Sequence, residues 1–324
     1  MKRVTLIIEK KQHSTILFLG GSRVLQFEEK YFQGEWRDGF YVEEMMKRVW
    51  AAQLKMLTVI DAVCKKNHLK YFAYSGTLLG AVRHKGFIPW DDDMDLSMPR
   101  ADYDKFMEIA RQELPEGWLI GEVWKNEDYR NVIARICNGN TLGYEKEYLE
   151  EWYGCPYIIG IDIIPMDDMP LNQQEEEVWI QIMRLLIQFW GYAEDIKDPT
   201  ERETLICQIE DLCKVKIDRE KLLQNELARI LDKVAAIYRN KDAKEITVAR
   251  WFANHPNYRL KKEWYEESIE VPFENIMIPV PKYYDEALTA MYGAWRIFVR
   301  ETAGHDYPFY KSQQKLLDEV FGKK

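Results

Sequence analysis

The chain has 324 residues, enough for one elaborated α/β domain or for two smaller ones of about 150 residues each. With 47% hydrophobic and 13% aromatic residues it is neither a disordered nor a low-complexity polymer. Lys and Arg total 45 against 54 Asp and Glu, a net charge of −9, which argues against a general electrostatic grip on nucleic acid or on an anionic membrane surface.

Cys64, Cys137, Cys155, Cys207 and Cys213 form no Cys-x-x-Cys pair and have no His at zinc spacing, so they read as plain thiols in a reducing compartment. The apolar run Val4 to Ile8 is too short for a signal-peptide core, and no run approaches the ~18 apolar residues of a membrane span. The expectation is a cytoplasmic protein without a transmembrane segment.

In chain order, Val4 to Ile8, Thr15 to Leu19 and Val24 to Phe27 read as strands, with Gly20-Gly21 as a hairpin turn. Apolar residues at 42, 45, 46, 49, 52, 56, 60 and 63 predict a helix ending at Lys65-Lys66-Asn67. A strand at Tyr71 to Tyr74, a helix from Thr77 to His84 and a strand at Met94 to Met98 follow. Pro99 then suits the first turn of a helix reaching Leu114. Further β-like runs lie at Leu119 to Trp124, Asn131 to Cys137 and Tyr157 to Ile164. After Pro170 the character turns helical, opening on Asn172 and Glu175 as a capping box and continuing to about Ala253. Ile269 to Phe273 and Ile276 to Ile278 read as a hairpin, and Tyr284 to Met291 as a short helix. The division expected is an N-terminal β extension (1–40), a catalytic core (41–170), a helical segment (171–260) and a C-terminal segment (261–324). The fold class is α/β (α+β), with strands and helices alternating in the core.

The densest chemistry is YSGTLLGAVRHKGFIPWDDDMDL, Tyr74 to Leu96. Asp91, Asp92, Asp93 and Asp95 repel one another unless screened. On a strand Asp93 and Asp95 point to one face, ~7 Å apart, with Asp91 sharing their parity, while Met94, Leu96 and Met98 point to the other. Such an oxygen set suits Mg²⁺ or Mn²⁺. A solvated acidic turn fits poorly with the entry into an apolar strand, and Leu96 and Pro99 stand where a calcium loop needs other residues. Asp162 is the lone charge in YIIGIDIIP and needs either the same cation or a salt bridge, for instance to Arg135. Gly76-Thr77 begins a helix after a strand, where backbone N–H groups and a hydroxyl can meet a phosphate. Arg83, His84 and Lys85 could add positive charge nearby, although His84 could equally be an exposed helix end.

GTLLGAVRHKGFIPWDDDMDL at Gly76 to Leu96 resembles the signature of the LicD family of phosphotransferases, which includes bacterial phosphorylcholine transferases and, more distantly, fukutin-related proteins. DIIPMDDMP at Asp162 to Pro170 and IPVPKYYDEALTAMYG at Ile278 to Gly293 are similar to further segments of that family. The resemblance implies a nucleotidyltransferase-like mixed sheet flanked by helices, here with an added helical segment and an N-terminal β-hairpin extension. It implies transfer of a substituted phosphate from a CDP-linked donor such as CDP-choline to a sugar hydroxyl of a cell-surface glycan or teichoic acid precursor. It implies catalytic and metal roles for Asp93, Asp95 and Asp162, with Asp91 joining them, and substrate contacts from Gly76, Thr77, Arg83, His84, Lys85 and Trp90. The cofactor implied is Mg²⁺ or Mn²⁺. A sugar acceptor carried on a lipid would bring the enzyme to the inner membrane face.

If choline is transferred, Tyr74, Trp90, Tyr144, Trp152 and Tyr153 are candidates to face its ammonium, while ethanolamine or a polyol phosphate stays open. Two other readings also stand at this point: a nucleotidyltransferase using an NTP, and a non-catalytic nucleotide-binding protein of the same fold. Whether residues 172–253 form the acceptor site or only cover the sheet is likewise open.

Overall fold

The computed structural model describes residues 17–19, 22–239, 242–255, 257–300 and 307–321. β1 (Leu17–Leu19) pairs antiparallel with β2 (Ser22–Val24). Val4 to Ile8 and the turn glycines Gly20 and Gly21 lie outside the described residues. The run expected at Val24 to Phe27 is a strand only at its start: Phe27 leaves the hairpin and packs on Tyr31 and Tyr153, with ring centroids 4.6 and 5.0 Å away. A second hairpin, β3 (Glu35–Arg37) with β4 (Phe40–Val42), was not expected. It turns at Asp38-Gly39, both at left-handed φ, which matches a two-residue turn to the twist of its strands.

α1 (Glu44–Lys66) buries Met46, Val49, Trp50, Leu57, Ile60 and Cys64. Next come β5 (Phe72–Ala73), α2 (Ser75–Arg83), β6 (Asp95–Pro99) and α3 (Arg100–Glu113), which starts directly after Pro99. β7 (Leu119–Gly121), β8 (Ala134–Cys137), α4 (Lys146–Glu151) and β9 (Gly160–Asp168) complete the core run. α5 (Gln173–Tyr192) opens as read from the sequence, with Asn172 Oδ1 accepting the Glu175 N–H at 2.8 Å. α6 (Pro199–Cys213) and α7 (Leu223–Ala235) follow.

The stretch read as helical to Ala253 is interrupted by β10 (Glu245–Thr247) before α8 (Ala249–Asn254). Glu-Ile-Thr is β-branched at two of three positions, and it joins an open sheet edge rather than continuing a helix. β11 (Leu260–Lys261) pairs with it. β12 (Ser268–Phe273) and β13 (Ile276–Pro281) form the expected hairpin, and α9 (Tyr284–Tyr292) and α10 (Lys311–Phe321) end the described chain.

The main sheet is mixed, with seven strands. β9 is its spine: β6 runs parallel along one edge, while β8 and then β10 run antiparallel along the other. β5 pairs antiparallel with the outer edge of β6. Strand parity assigns the faces. The back face, with Leu96, Met98, Ile161 and Ile163, packs in one buried cluster with Trp50, Leu57, Ile60 and Phe106 of α1 and α3. The front face carries Phe72, Tyr74, Ile164 and Met166 in a second cluster with Ile246, Leu260 and Tyr265. α5, α6, α7 and α8 make a third cluster of their own, around Met183, Leu186, Phe189, Leu227 and Phe252.

Arg100 ties that helical layer to the sheet. Its Nε and Nη2 donate to the two carboxylate oxygens of Asp167 on β9, at 2.6 and 3.0 Å, and its Nη1 donates to Asp232 on α7 at 2.8 Å. All three side chains are nearly buried. Truncation would strand two buried carboxylates, which typically costs about 3–5 kcal/mol. Arg100→Ala is therefore expected to lower unfolding stability in urea by about that amount; a loss below about 1 kcal/mol would show that water takes over the pairing.

Candidate functional site

The acidic loop is positioned from behind. Trp50 Nε1 donates to the Asp91 carbonyl at 3.2 Å, and buried Gln53 Nε2 donates to the Asp92 carbonyl at 2.9 Å, so α1 grips the loop by its backbone carbonyls. Trp50 is itself locked by stacking on Phe87, at 4.8 Å between centroids and 4° between planes. Asp91 to Asp93, read from the sequence as strand positions, lie in the loop before β6, which starts only at Asp95. Asp92 is fully buried, and its Oδ2 accepts the Phe309 N–H at 2.5 Å. It fastens the C-terminal segment to the loop.

Register then gathers the rest. Asp95 pairs with Asp162 across the parallel β6–β9 ladder, and Asp162 pairs with Arg135 across β8–β9, so all three stand in one row of the front face. Asp162 accepts the ion pair from Arg135 Nε at 3.0 Å. The salt bridge to Arg135, one of the two partners weighed for Asp162, is formed, although Arg135 is about half exposed rather than buried. Asp91, Asp92 and Asp93 can each offer a carboxylate oxygen within 4.8 Å of the others.

Electrostatics follow from this crowding. Burial, then the charge of Asp93, then a hydrogen bond with it push the Asp91 carboxyl well above the usual aspartate range. Burial, then Asp93, then Asp162 do the same to Asp95, with Arg135 opposing. Burial also raises Asp162, against the opposing pull of Arg135 and Arg250. Such a set holds protons or a divalent cation more readily than it stands empty and charged, and hard carboxylate oxygens are the donors Mg²⁺ and Mn²⁺ accept.

α2 begins at this row. Thr77, expected to meet a phosphate, is buried, and its Oγ1 accepts the Asp95 N–H at 2.9 Å, which fastens the helix start to β6. Gly76 is where the helix passes the loop: a Cβ there would lie 2.4 Å from Asp91 Oδ2. Ser75, with φ of +49°, is a non-glycine residue in the left-handed region. Its hydroxyl meets the Tyr292 hydroxyl at 3.0 Å, and close by Tyr74 and Tyr258 share a hydroxyl–hydroxyl bond. Ser75, Tyr258 and Tyr292 were not singled out from the sequence. Tyr258 and Tyr292 come from distant segments and carry no local signal.

Arg83, His84 and Lys85 do not join this site. They cap the other end of α2, eight residues from Gly76 and so about 12 Å along the axis. There, with Arg37, Asp38 and Phe298, they line a separate cleft of about 550 Å³. His84 is not an exposed helix end: its side chain is nearly buried, with Nδ1 at 2.9 Å from Asp38 and Nε2 accepting from Arg83 Nε at 2.9 Å. Trp90 lies between the two ends, packed edge-on to Phe40 and His84.

The five aromatic candidates do not form one cage. Tyr74 belongs to the front-face cluster, while Trp90, Trp152 and Tyr153 pack on the back-face cluster, and Tyr144 is exposed.

The crowding has a measurable consequence. Because folding raises the proton affinity of Asp91, Asp95 and Asp162, protonation stabilises the chelated protein at low pH, and that stabilisation is lost as pH rises through the raised values. Asp95→Asn should then melt higher than the parent near neutral pH, by about 2–4 °C per kcal/mol of repulsion relieved. The gap should close as pH approaches the ordinary aspartate value of about 3.9. An equal or lower melting temperature at neutral pH would contradict the repulsion.

Part of the chain is similar to known proteins. Residues 68–143 match the family model described as LicD/FKTN/FKRP, nucleotidyltransferase domain. Over 67 residues, 20% of this chain and 25% of the relative, the chain is 46% identical to lipopolysaccharide cholinephosphotransferase LicD of Haemophilus influenzae. It is 35% identical over 116 residues to an uncharacterized protein of Rickettsia typhi, covering 34% and 35% of the two chains. With an uncharacterized protein of Rickettsia prowazekii it shares 31% over 128 residues, 38% and 45% of the two. The matches thus span between a quarter and just under half of the length of these curated relatives. Asp162 lies beyond the family match, whereas Gly76, Thr77 and Asp91 to Asp95 lie within it. Residues 68–143 therefore identify a LicD-type nucleotidyltransferase domain in this chain.

Proposed function

We propose that the chain is a metal-dependent phosphotransferase. It moves a substituted phosphate, phosphocholine from CDP-choline being the leading choice, onto a sugar hydroxyl of a cell-surface glycan or teichoic acid precursor and releases CMP. The observation that carries this reading is the pairing of Asp95 with Asp162 on one sheet face, with Asp93 acting on both from the adjoining loop, beside a helix start that lies within the segment matched by the LicD/FKTN/FKRP family model. With an acceptor on a lipid, the reaction takes place at the cytoplasmic face of the membrane. No helix among the described residues is long and apolar enough to cross a membrane.

In this reading Asp93 and Asp95, with Asp91 and Asp162, hold Mg²⁺ or Mn²⁺. When bound, the ion supplies charge neutralisation for phosphate oxygens and the departing CMP. The chain's own residues do the rest. Thr77 keeps Asp95 at its station through the backbone N–H, and Gly76 leaves room for Asp91. The open start of α2, which has no side-chain cap, presents N–H groups to donor phosphate. Asp162, whose proton affinity burial raises, takes the proton of the attacking hydroxyl.

A second reading, transfer of a nucleotidyl group from an NTP, has in its favour the domain type matched at residues 68–143. The two differ in product. The phosphotransferase releases CMP from CDP-choline, CDP-ethanolamine or CDP-ribitol when Mg²⁺ or Mn²⁺ is present. Asp93→Ala and Asp95→Ala, still folded, should lower that rate about 1,000-fold, the equivalent of some 4 kcal/mol of transition-state stabilisation. Pyrophosphate release from CTP would move the assignment to the second reading, and turnover indifferent to both substitutions would overturn the site.

A further inference from the structure

The carboxylate row is flanked on its β8 side by cations that its own pairing does not consume. Arg135 reaches the row because Gly160 is bare. A Cβ at Gly160 would sit 2.4, 2.9 and 3.1 Å from Arg135 Nε, Cδ and Cγ, so the arginine lies along a notch that only glycine leaves open. Within the notch Nε is committed to Asp162 at 3.0 Å. The side chain is 46% exposed, and among the described residues no hydrogen bond of Nη1 or Nη2 is found. One edge is anchored and the fork is open, the geometry in which arginine takes two oxygens of a phosphate.

A second cation comes from the helical layer. Arg250, at the start of α8, is partly buried, with its guanidinium 5.2 Å from the Trp190 ring centre and 5.5 Å from that of Trp251. Its Nη1 donates to Asn131 Oδ1 at 3.4 Å, just before β8. Among the described residues no carboxylate lies within ion-pair distance of it. The carboxylate whose charge reaches it, Asp162, already pairs with Arg135, so this guanidinium, held over indole faces, has charge left for an anion.

We propose that Arg135, with Arg250 beside it, forms a phosphate-binding subsite that holds the diphosphate of a nucleoside diphosphate donor against the carboxylate row. The inference rests on the reading of that row as the reaction site, and it gives the helical layer a part in binding. Arg135 is then a substrate-binding residue as well as the counter-ion of Asp162, and Gly160 is the residue that positions it.

The test is calorimetric titration with CDP and with inorganic pyrophosphate in Mg²⁺, on the full chain, beside the KM for CDP-choline. Arg135→Ala should weaken both ligands about 10- to 100-fold, the range of a charge-assisted hydrogen-bonded pair. Arg135→Lys should recover part of the loss. Gly160→Ala retains every charge and only displaces Arg135, so it should weaken binding in the same direction while melting within a few degrees of the parent. If Arg135 serves only as the counter-ion of Asp162, its removal lowers the melting temperature and Gly160→Ala leaves both affinities unchanged; that result overturns the proposal, as does a parent protein that binds neither ligand. Arginine-dependent CDP binding without CMP release would instead overturn the transferase reading and leave the subsite standing.

Discussion

The parallel pairing of β6 with β9 places Asp95 directly beside Asp162, with Asp93 in the loop just before β6, close enough for its charge to act on both. Like charges side by side in a sheet are unfavourable, and here two cores hold them in place. Leu96, Met98, Ile161 and Ile163 on the opposite face are buried against α1 and α3, so a slip of one residue would bring the carboxylates into that core. The register that buries the apolar residues is the same register that crowds the acids. The repulsion is therefore built into the fold and has to be met by charge of the other sign.

The surroundings of the row are consistent with that demand. Trp50 and Gln53 hold the loop through carbonyls, Thr77 holds Asp95 through an N–H, and Gly76 gives the Asp91 carboxylate space, so none of these contacts uses up the charges of Asp91, Asp93 or Asp95. Asp92, beside them, is spent on structure through the bond its Oδ2 accepts from the Phe309 N–H. On the β8 side Arg135 and Arg250 lower the proton affinity that burial raises in Asp162. The row thus divides into an acidic half open to a cation and a half whose acid already faces guanidinium groups. A phosphate ester bridging the two halves would meet positive charge at both ends.

Much of this was legible in sequence because it depends on local period and local chemistry. Alternation within Asp95 to Met98 assigns the faces of β6, although the strand does not extend back to Asp91 and Asp93. Asn172 with Glu175 marks the start of α5, and the hairpin of β12 and β13 follows from two β-rich runs around a turn. What was missed depends on long-range placement. Arg83 to Lys85 are close to Gly76 in number, but a helix separates them by its length. Arg135 read as a simple partner for Asp162, since its open fork depends on the β8–β9 register and on Gly160, 25 positions away. β10 was hidden in a helical neighbourhood because the edge of β9 that it covers is not visible from its own three residues. The β3–β4 hairpin is a different case: Asp38-Gly39 is a strong local turn signal that was overlooked.

The net charge of −9 first excluded a class of partners; part of it now has an address and a counter-charge. The central claim is that the cluster of Asp91 and Asp93 in the loop with Asp95 and Asp162 on the front face is a divalent cation site. Titration of the chelated protein with Mn²⁺, followed by electron paramagnetic resonance of the free ion, tests it most directly. Saturable binding that disappears in Asp93→Asn and Asp95→Asn, both melting no lower than the parent, is the expected result. Binding unchanged by those substitutions, or no binding with CDP-choline present, would contradict it.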